Sequence, residues 1–177
     1  MDRRLDRIDL RILTELQADG RLSNAALARR VHLSPTPCLE RVRRLERDGF
    51  IRGYRAELDP GPVDLGLLVY VTVSIDRTSD EAFARFAAAI RKLDEVLECH
   101  MVAGGFDYLL KIRVRDMAKF RELLGRTLSE VPGIRETRSY VVMEEVKHAA
   151  ALPLPPPEAV GRAASRRRKG QRPPARP

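Results

Sequence analysis

The sequence predicts an α+β protein in two parts: an N-terminal helix-turn-helix domain, then a ferredoxin-like βαββαβ domain with an antiparallel sheet. Three observations carry that prediction. In the first fifty residues, apolar side chains recur every three or four positions in short runs bounded by capping residues or glycine. From Val69 onward, period-two and helical-period runs follow one another in the order strand, helix, strand, strand, helix, strand. Between the two parts stands Asp59-Pro60-Gly61-Pro62, a breaker cluster that marks a linker. The expected divisions are residues 1–60, 61–147 and 148–177.

The first run is Leu5, Ile8, Ile12 and Leu16, with Leu13 beside them, an amphipathic helix that Gly20 is expected to cap. Ser23 stands as the N-cap of a short second helix with Leu27 and Val31 facing inward. His32-Leu33-Ser34 is a three-residue break. The third helix opens at Ser34-Pro35-Thr36-Pro37. Ser34 suits the N-cap, and both prolines fall in the first turn, where N–H groups have no intrahelical partner to lose. This helix runs to about Asp48 and stops at Gly49, and residues 50–58 read as a strand leading out of the domain.

In the second part, Val69, Val71, Val73 and Ile75 alternate with Tyr70, Thr72 and Ser74 as a strand. Phe83, Phe86, Ala87, Ile90 and Leu93 mark a helix. Leu97, Cys99 and Met101 alternate with Glu98, His100 and Val102, and Ala103-Gly104-Gly105 turns the chain into a strand through Tyr108, Leu110, Ile112 and Val114. Met117, Phe120, Leu123, Leu124 and Leu128 form a second helix, and Pro132-Gly133 leads to a last strand from Ile134 to about Glu145. Both helices are expected on one face of the sheet. Val69, Val71, Tyr140 and Val142 are too apolar to leave wet, so dimerisation through the open face is expected.

The charge is unevenly spread. The 177 residues carry 33 Lys and Arg against 25 Asp and Glu, net +8. Residues 1–60 are net +3, residues 61–147 net −1 and residues 148–177 net +6. The last segment holds seven of the twelve prolines, Arg166-Arg167-Arg168-Lys169 and no aromatic residue. It reads as a disordered basic tail, suited at most to loose, salt-sensitive contact with a phosphate backbone. No run of 18 apolar residues suits a membrane span, and the first residues lack the apolar core of a signal peptide. Cys38 and Cys99 alone make neither a disulfide framework nor a Cys-rich zinc site, so a cytoplasmic protein without a metal or cofactor is expected.

The third helix offers a candidate DNA-reading surface. At about 100° per residue, Cys38, Val42 and Leu45 share one face, while Thr36, Glu40, Arg43 and Arg47 share the opposite one. Arg41 and Arg44 lie on the flank. An Arg-rich second helix after a tight turn places N-terminal side chains at base edges and arginines at guanine or phosphate. The DNA-binding candidates are therefore Ser34, Thr36, Pro37, Glu40, Arg41, Arg43, Arg44 and Arg47. Glu40 suits a cytosine amino group, or an intrahelical pair with Arg43 or Arg44. No Walker-type loop, metal-spaced cluster or nucleophile elbow is present. Cys99 and His100 are adjacent on a strand and so point to opposite faces, which argues against a catalytic pair. Asp107 either caps the turn after Gly104 and Gly105 or faces the amino group of a small ligand.

The run from Leu33-Ser34-Pro35-Thr36-Pro37-Cys38-Leu39-Glu40-Arg41 to Val42-Arg43-Arg44-Leu45-Glu46, then Gly49-Phe50-Ile51, closely resembles the Lrp/AsnC family of bacterial transcription regulators, most of all its leucine-responsive branch. Glu98-Cys99-His100, Phe106-Asp107-Tyr108-Leu109-Leu110-Lys111 and Tyr140-Val141-Val142-Met143-Glu144-Glu145-Val146-Lys147 extend the resemblance over residues 5–147. The resemblance implies a helix-turn-helix, a linker strand and a domain that dimerises and senses amino acids. It further implies dimers that build octamers or larger rings with DNA wrapped outside, and an effector site between dimers near the glycine turn. Carried over by motif, Met101, Gly104, Gly105, Asp107, Met117, Tyr140, Val141 and Val142 lie at or near that site. Two positions depart from the family pattern: His32 stands where glycine is usual, and Gly105 stands where the leucine-responsive pattern has an acidic residue. The second difference bears on effector identity and affinity.

The expected protein is thus a non-enzymatic, amino-acid-responsive regulator of double-stranded DNA, bacterial and nucleoid-associated. An architectural DNA-compacting protein and an amino-acid-binding module of an enzyme are the alternatives. The Arg-rich third helix argues against the second of these.

Overall fold

The computed structural model describes residues 5–76, 79–128, 131, 133–149 and 151–158, apart from the side chains of 126–128. The chain forms two compact units, Met1–Ala56 with His148–Pro177, and Glu57–Lys147. In the first, α1 (Arg7–Ala18), α2 (Asn24–Arg30) and α3 (Pro35–Arg47) pack around one core. The first two helices start where a side chain replaces a missing backbone acceptor. Asp6 and Asp9 form a reciprocal capping box at the head of α1, and the Ser23 hydroxyl accepts from the Ala26 N–H at the head of α2. At the end of α3 the chain turns through Gly49 at φ +79°, where the Phe50 N–H reaches back to the Leu45 carbonyl. Ile12, Leu27, Val31, Cys38 and Leu45 are buried at the centre. Burial raises the Cys38 thiol above its ordinary value, so this cysteine serves as a small apolar filler.

In the second unit, β1 (Leu67–Ile75), α4 (Asp80–Ile90), β2 (Val96–Met101), β3 (Tyr108–Val114), α5 (Met117–Glu122) and β4 (Ile134–Val141) give the expected βαββαβ order. A π-helical turn, Leu123–Leu128, continues α5. The four-stranded sheet runs β2-β3-β1-β4 with every neighbouring pair antiparallel. This is the ferredoxin-like arrangement, in which the two central strands are not consecutive in sequence. Its core joins Val69, Val71, Val73 and Ile75 of β1 and Leu110, Ile112 and Val114 of β3 to Phe86 and Ile90 of α4 and Phe120 of α5. The Phe86 and Tyr108 rings meet at 4.3 Å.

Several expectations are corrected. Val69 and Val71 are fully buried in the helix-covered core, so they do not belong to the open face. Cross-strand partners share a face, and the opposite set is Leu68, Tyr70, Thr72 and Ser74 with Leu109, Lys111 and Arg113, flanked by Glu136, Arg138 and Tyr140. That face is mixed polar and apolar. Residues 50–58, expected as a strand, join no ladder among the described residues, because no described strand lies beside them to complete the hydrogen bonds. Gly20 does not cap α1: the C-cap is Asp19 in an extended conformation. β4 ends at Val141 rather than near Glu145.

The stretch 151–158, expected within a disordered tail, is held against α1. The Gln17 side chain exchanges two hydrogen bonds with the Leu152 backbone, and Leu154 packs on the first core. The rest of that tail, with Arg166-Arg167-Arg168-Lys169, lies outside the described residues, as does Pro132 of the expected Pro132-Gly133 turn.

Candidate nucleic-acid interface and ligand domain

The turn before α3 requires an unusual backbone. His32 sits at φ +58°, in the left-handed region that glycine occupies at least cost. Its geometry is pinned on both sides: the Leu33 N–H donates to the Ala28 carbonyl, and the Asn24 side-chain amide donates to the Pro35 carbonyl at 2.8 Å. Ser34 is the N-cap, but its hydroxyl makes no capping hydrogen bond, so it faces outward with its capacity unspent.

From there α3 presents Thr36, Glu40, Arg43 and Arg47 to solvent, while Cys38 and Leu45 are buried beneath. Pro37, Glu40, Arg41, Arg43, Arg44 and Arg47 line one open groove of about 550 Å³. Six of the eight expected DNA-binding residues therefore converge, and Ser34 and Thr36 stand at the N-terminal end of the same helix.

The arginines divide into two kinds. Arg41 donates to Asp6 at 2.6 Å and to Asp9 at 2.8 Å, and Arg44 reaches the same Asp9 oxygen at 2.5 Å. The Asp9 side chain is 1% exposed and also accepts from the Asp6 N–H at 3.0 Å. Arg44 thus pairs across to α1 rather than with Glu40. Arg43 forms no ion pair among the described residues, and Arg47 has only a 3.8 Å approach to Asp48. Arg43 and Arg47 are therefore the α3 arginines without a close carboxylate partner among the described residues.

Asp6 and Asp9 are the residues that sequence reasoning missed. Their three-residue spacing ahead of an apolar run is a legible capping signal, but the second duty of Asp9, holding α3, is not. Burial raises the Asp6 carboxyl, and the Asp9 N–H together with Arg41 outweighs that and holds it below the ordinary 3.8. Farther along, Tyr54 donates to Glu46 at 3.0 Å, and burial beside that carboxylate pushes its hydroxyl up to about 12. That bond ties the segment after α3 back to α3.

In the second unit the expected effector residues are spread more widely. Gly105 and Tyr140 line a shallow cleft of about 90 Å³ with Thr72, Ser74, Phe106, Glu136 and Arg138. Thr72 and Ser74 are buried, and Arg138 donates to Glu136 at 2.8 Å. Asp107 is turned inward: its carboxylate accepts from the Ile75 N–H at 2.8 Å and its own N–H donates to the Val73 carbonyl. Within one chain, Asp107 therefore caps the hairpin end against β1. A Cβ added at Gly104 or Gly105 would meet nothing within 4 Å, so these glycines have open space beside the loop. Met101 and Met117 are exposed at the ends of their elements. Tyr140 pairs with Tyr70 while Val141 pairs with Val69, so these two neighbours point to opposite faces. Val142 closes the strand by donating to the Leu68 carbonyl. Beside the hairpin, Glu98 accepts from His100 and Lys111 at 3.0 Å each, which holds its carboxyl low.

The described residues hold no group of three His, Cys, Asp or Glu placed for a metal ion, and no helix long and apolar enough to cross a membrane.

Comparison with known proteins assigns both units. The profile for the winged helix-turn-helix DNA-binding domain matches residues 5–52, and that for the Lrp/AsnC ligand-binding domain matches residues 68–152. The chain is 60% identical over 148 residues to the leucine-responsive regulatory protein of Salmonella typhimurium, across 84% of this chain and 90% of that protein. The chain belongs to the Lrp/AsnC family. The Escherichia coli K12 leucine-responsive regulatory protein is 59% identical over the same shares of both chains. Among solved structures, a Neisseria meningitidis transcriptional regulator in complex with L-methionine is 43% identical with a TM-score of 0.80, over 85% of this chain and 97% of that one. An AsnC family regulator from Agrobacterium tumefaciens is 37% identical with a TM-score of 0.80, over 84% and 97%.

This Lrp/AsnC chain is thus a DNA-binding transcription regulator built from a helix-turn-helix unit and an amino-acid-binding unit, and its relatives are regulators rather than enzymes.

Proposed function

We propose that α3 reads a DNA half-site in the major groove through Thr36, Glu40, Arg43 and Arg47, and that a small amino acid held between dimers biases assembly and hence DNA binding. The observation that carries this reading is the division of the α3 arginines. Arg41 and Arg44 are committed to Asp6 and Asp9, which fixes the helix, while Arg43 and Arg47 remain available on the exposed face. A dimer presents two such helices, so its sites are roughly palindromic, with half-sites about 34–36 Å apart or a multiple of that. Octamers or larger rings then raise the effective concentration of reading helices.

The effector proposal rests on size. A cleft of about 90 Å³ is well below the several hundred Å³ of ordinary ligand sites. The open space beside Gly104 and Gly105 and the exposed Met101 and Met117 suit completion by a second copy. The relatives' names point to leucine or methionine as the class of effector. Coupling of this kind amounts to about 1–3 kcal/mol. We assign the protein no enzymatic activity and place it in the bacterial cytoplasm, on the nucleoid.

The test is a gel shift on the DNA upstream of the protein's own gene, with each of the twenty amino acids in turn. A discrete footprint whose affinity shifts with one or a few amino acids is expected. Uniform coverage without protected sites would favour compaction, and unchanged binding with all twenty would remove the effector.

A further inference from the structure

Two chain segments join the ligand unit to the DNA-binding unit: the outward linker after Ala56 and the return that ends at His148. Both are held at the ligand end by one side chain. Arg113 of β3 is 11% exposed, and its guanidinium donates to the Leu65 carbonyl of the linker at 3.4 Å and to the Glu145 carboxylate of the return. The carboxylate neutralises a cation that is nearly buried. The linker is itself folded up to that point. The Gly61 N–H donates to Asp59, the Asp64 N–H to the Gly61 carbonyl and the Leu65 N–H to the Pro60 carbonyl. Beyond Glu145 the return is fastened a second time. The Leu152 N–H donates to Gln17 Oε1 at 2.7 Å, and Gln17 Nε2 donates to the Leu152 carbonyl at 3.2 Å. The Leu152 side chain is 69% exposed, so it is the backbone that is held. Two residues on, Leu154 packs against the core formed by Ile12, Leu27 and Leu45.

We propose that residues 142–149 and 151–154 form a second tether, gathered with the linker by Arg113 and anchored by Gln17 and Leu154, through which the state of the ligand unit reaches the DNA-binding unit. This rests on the amino-acid-responsive DNA reading proposed above. The physical reason is rotational freedom. A body on one connection turns about it in every direction, whereas a body on two turns mainly about the line between them. The narrower range lowers the ordering cost when α3 meets DNA. The second tether also starts at a strand that belongs to the ligand unit, since β4 runs into it and the Val142 N–H donates to the Leu68 carbonyl of β1. An amino acid that favours one placement of β4 therefore biases the DNA-binding unit, by as much as its affinities for the two placements differ. Arg113 is a positioning residue in this arrangement. It shortens the free chain ahead of the Gln17 contact to seven residues, Glu145 to Leu152; without it the chain is free from Val142, ten residues away. Effective concentration falls as about the −3/2 power of length, so losing Arg113 weakens the contact about twofold.

The experiment compares the full chain with full-length Gln17→Ala, Leu154→Ala, Arg113→Gln and Glu145→Gln, by hydrogen exchange and by gel shifts on the upstream duplex with L-leucine or L-methionine. The Leu152 amide should exchange slowly in the full chain and about fivefold faster in Gln17→Ala, the worth of one net hydrogen bond. Arg113→Gln and Glu145→Gln should speed it about twofold while the amides of Ile12 and Leu27 keep their rates, which damage to the DNA-binding unit would not produce. In the gel shifts, the effect of the amino acid on affinity should fall from the roughly 5–150-fold of ordinary coupling toward none in Gln17→Ala and Leu154→Ala, with calorimetric binding of the amino acid retained. Gln17 is exposed, so its variant keeps the test valid if Leu154→Ala fails to fold. Free exchange at Leu152 in the full chain overturns the tether. Unchanged exchange in both ligand-unit variants overturns the role of Arg113. A full amino-acid response in folded Gln17→Ala overturns the signalling. A slow Leu152 amide in a full chain whose DNA binding ignores both amino acids refutes the effector reading instead, and with it any signal for the tether to carry.

Discussion

Replacing Asp9 by Asn tests how α3 is held. The change keeps the side chain's shape but removes the charge that Arg41 and Arg44 share at 2.8 and 2.5 Å. Breaking a fully buried pair costs about 3–5 kcal/mol, because a charge is left without a partner. Here the anion is 1% exposed, but the cations are 27% and 41% exposed and can turn toward water. Arg41 also keeps Asp6. The expected cost is therefore about 2 kcal/mol, between buried and surface pairs. In a unit of this size that lowers the melting temperature by roughly 10 °C. The assay is thermal melting followed by circular dichroism, with Arg44→Gln and the double variant completing a cycle. A coupling of about 1 kcal/mol between the two positions is expected, against the few tenths found for independent sites. Arg44, released from α1, should also steepen the salt dependence of DNA binding by up to about 1. If the single changes add without coupling and the melting point moves by less than a degree or two, the pair does not hold α3 and the division of arginines fails.

Four further outcomes follow from the same geometry. Arg43→Ala and Arg47→Ala should weaken gel shifts without lowering the melting point, whereas Arg41→Ala should lower both; equal melting losses in all three would contradict the division. His32→Gly should stabilise the first unit by about 0.5–1 kcal/mol, since glycine relieves the left-handed strain but adds unfolded-state freedom; a lower melting point would count against strain at that turn. Asp107→Ala should blunt the amino-acid response and cost about 1–3 kcal/mol by leaving the Ile75 N–H without its acceptor; an intact response in the folded variant would remove Asp107 from the effector site. The Asp6 carboxyl is held below 3.8, so its contribution is complete above that value and lost as pH falls through the lowered one. Acid melting of Asp6→Asn should converge with that of the parent chain below 3.8, and a constant gap across that range would refute the linkage.

The sequence by itself determined the three helices of the first unit and the βαββαβ order of the second, though not that residues 50–58 would stay out of a ladder. Hydrophobic period, caps and breakers act over a few residues, so Ser23, Ser34 and Gly49 mark helix ends locally and the alternation over residues 69–75 marks a strand. It also determined which side of α3 faces out, because Cys38 and Leu45 fix the buried side. Partners distant in the chain were decided only by the tertiary structure. Leu68 and Tyr70 give the other face of β1 apolar surface too, so alternation left its orientation open, and pairing with β3 and β4 settled that Val69 and Val71 face the helices while Tyr70 looks outward. The commitment of Arg41 to Asp9 spans 32 positions and that of Gln17 to Leu152 spans 135. Charge and hydrogen-bonding capacity are written in the residue type, but which partner satisfies them depends on packing that brings two remote segments within a few ångströms.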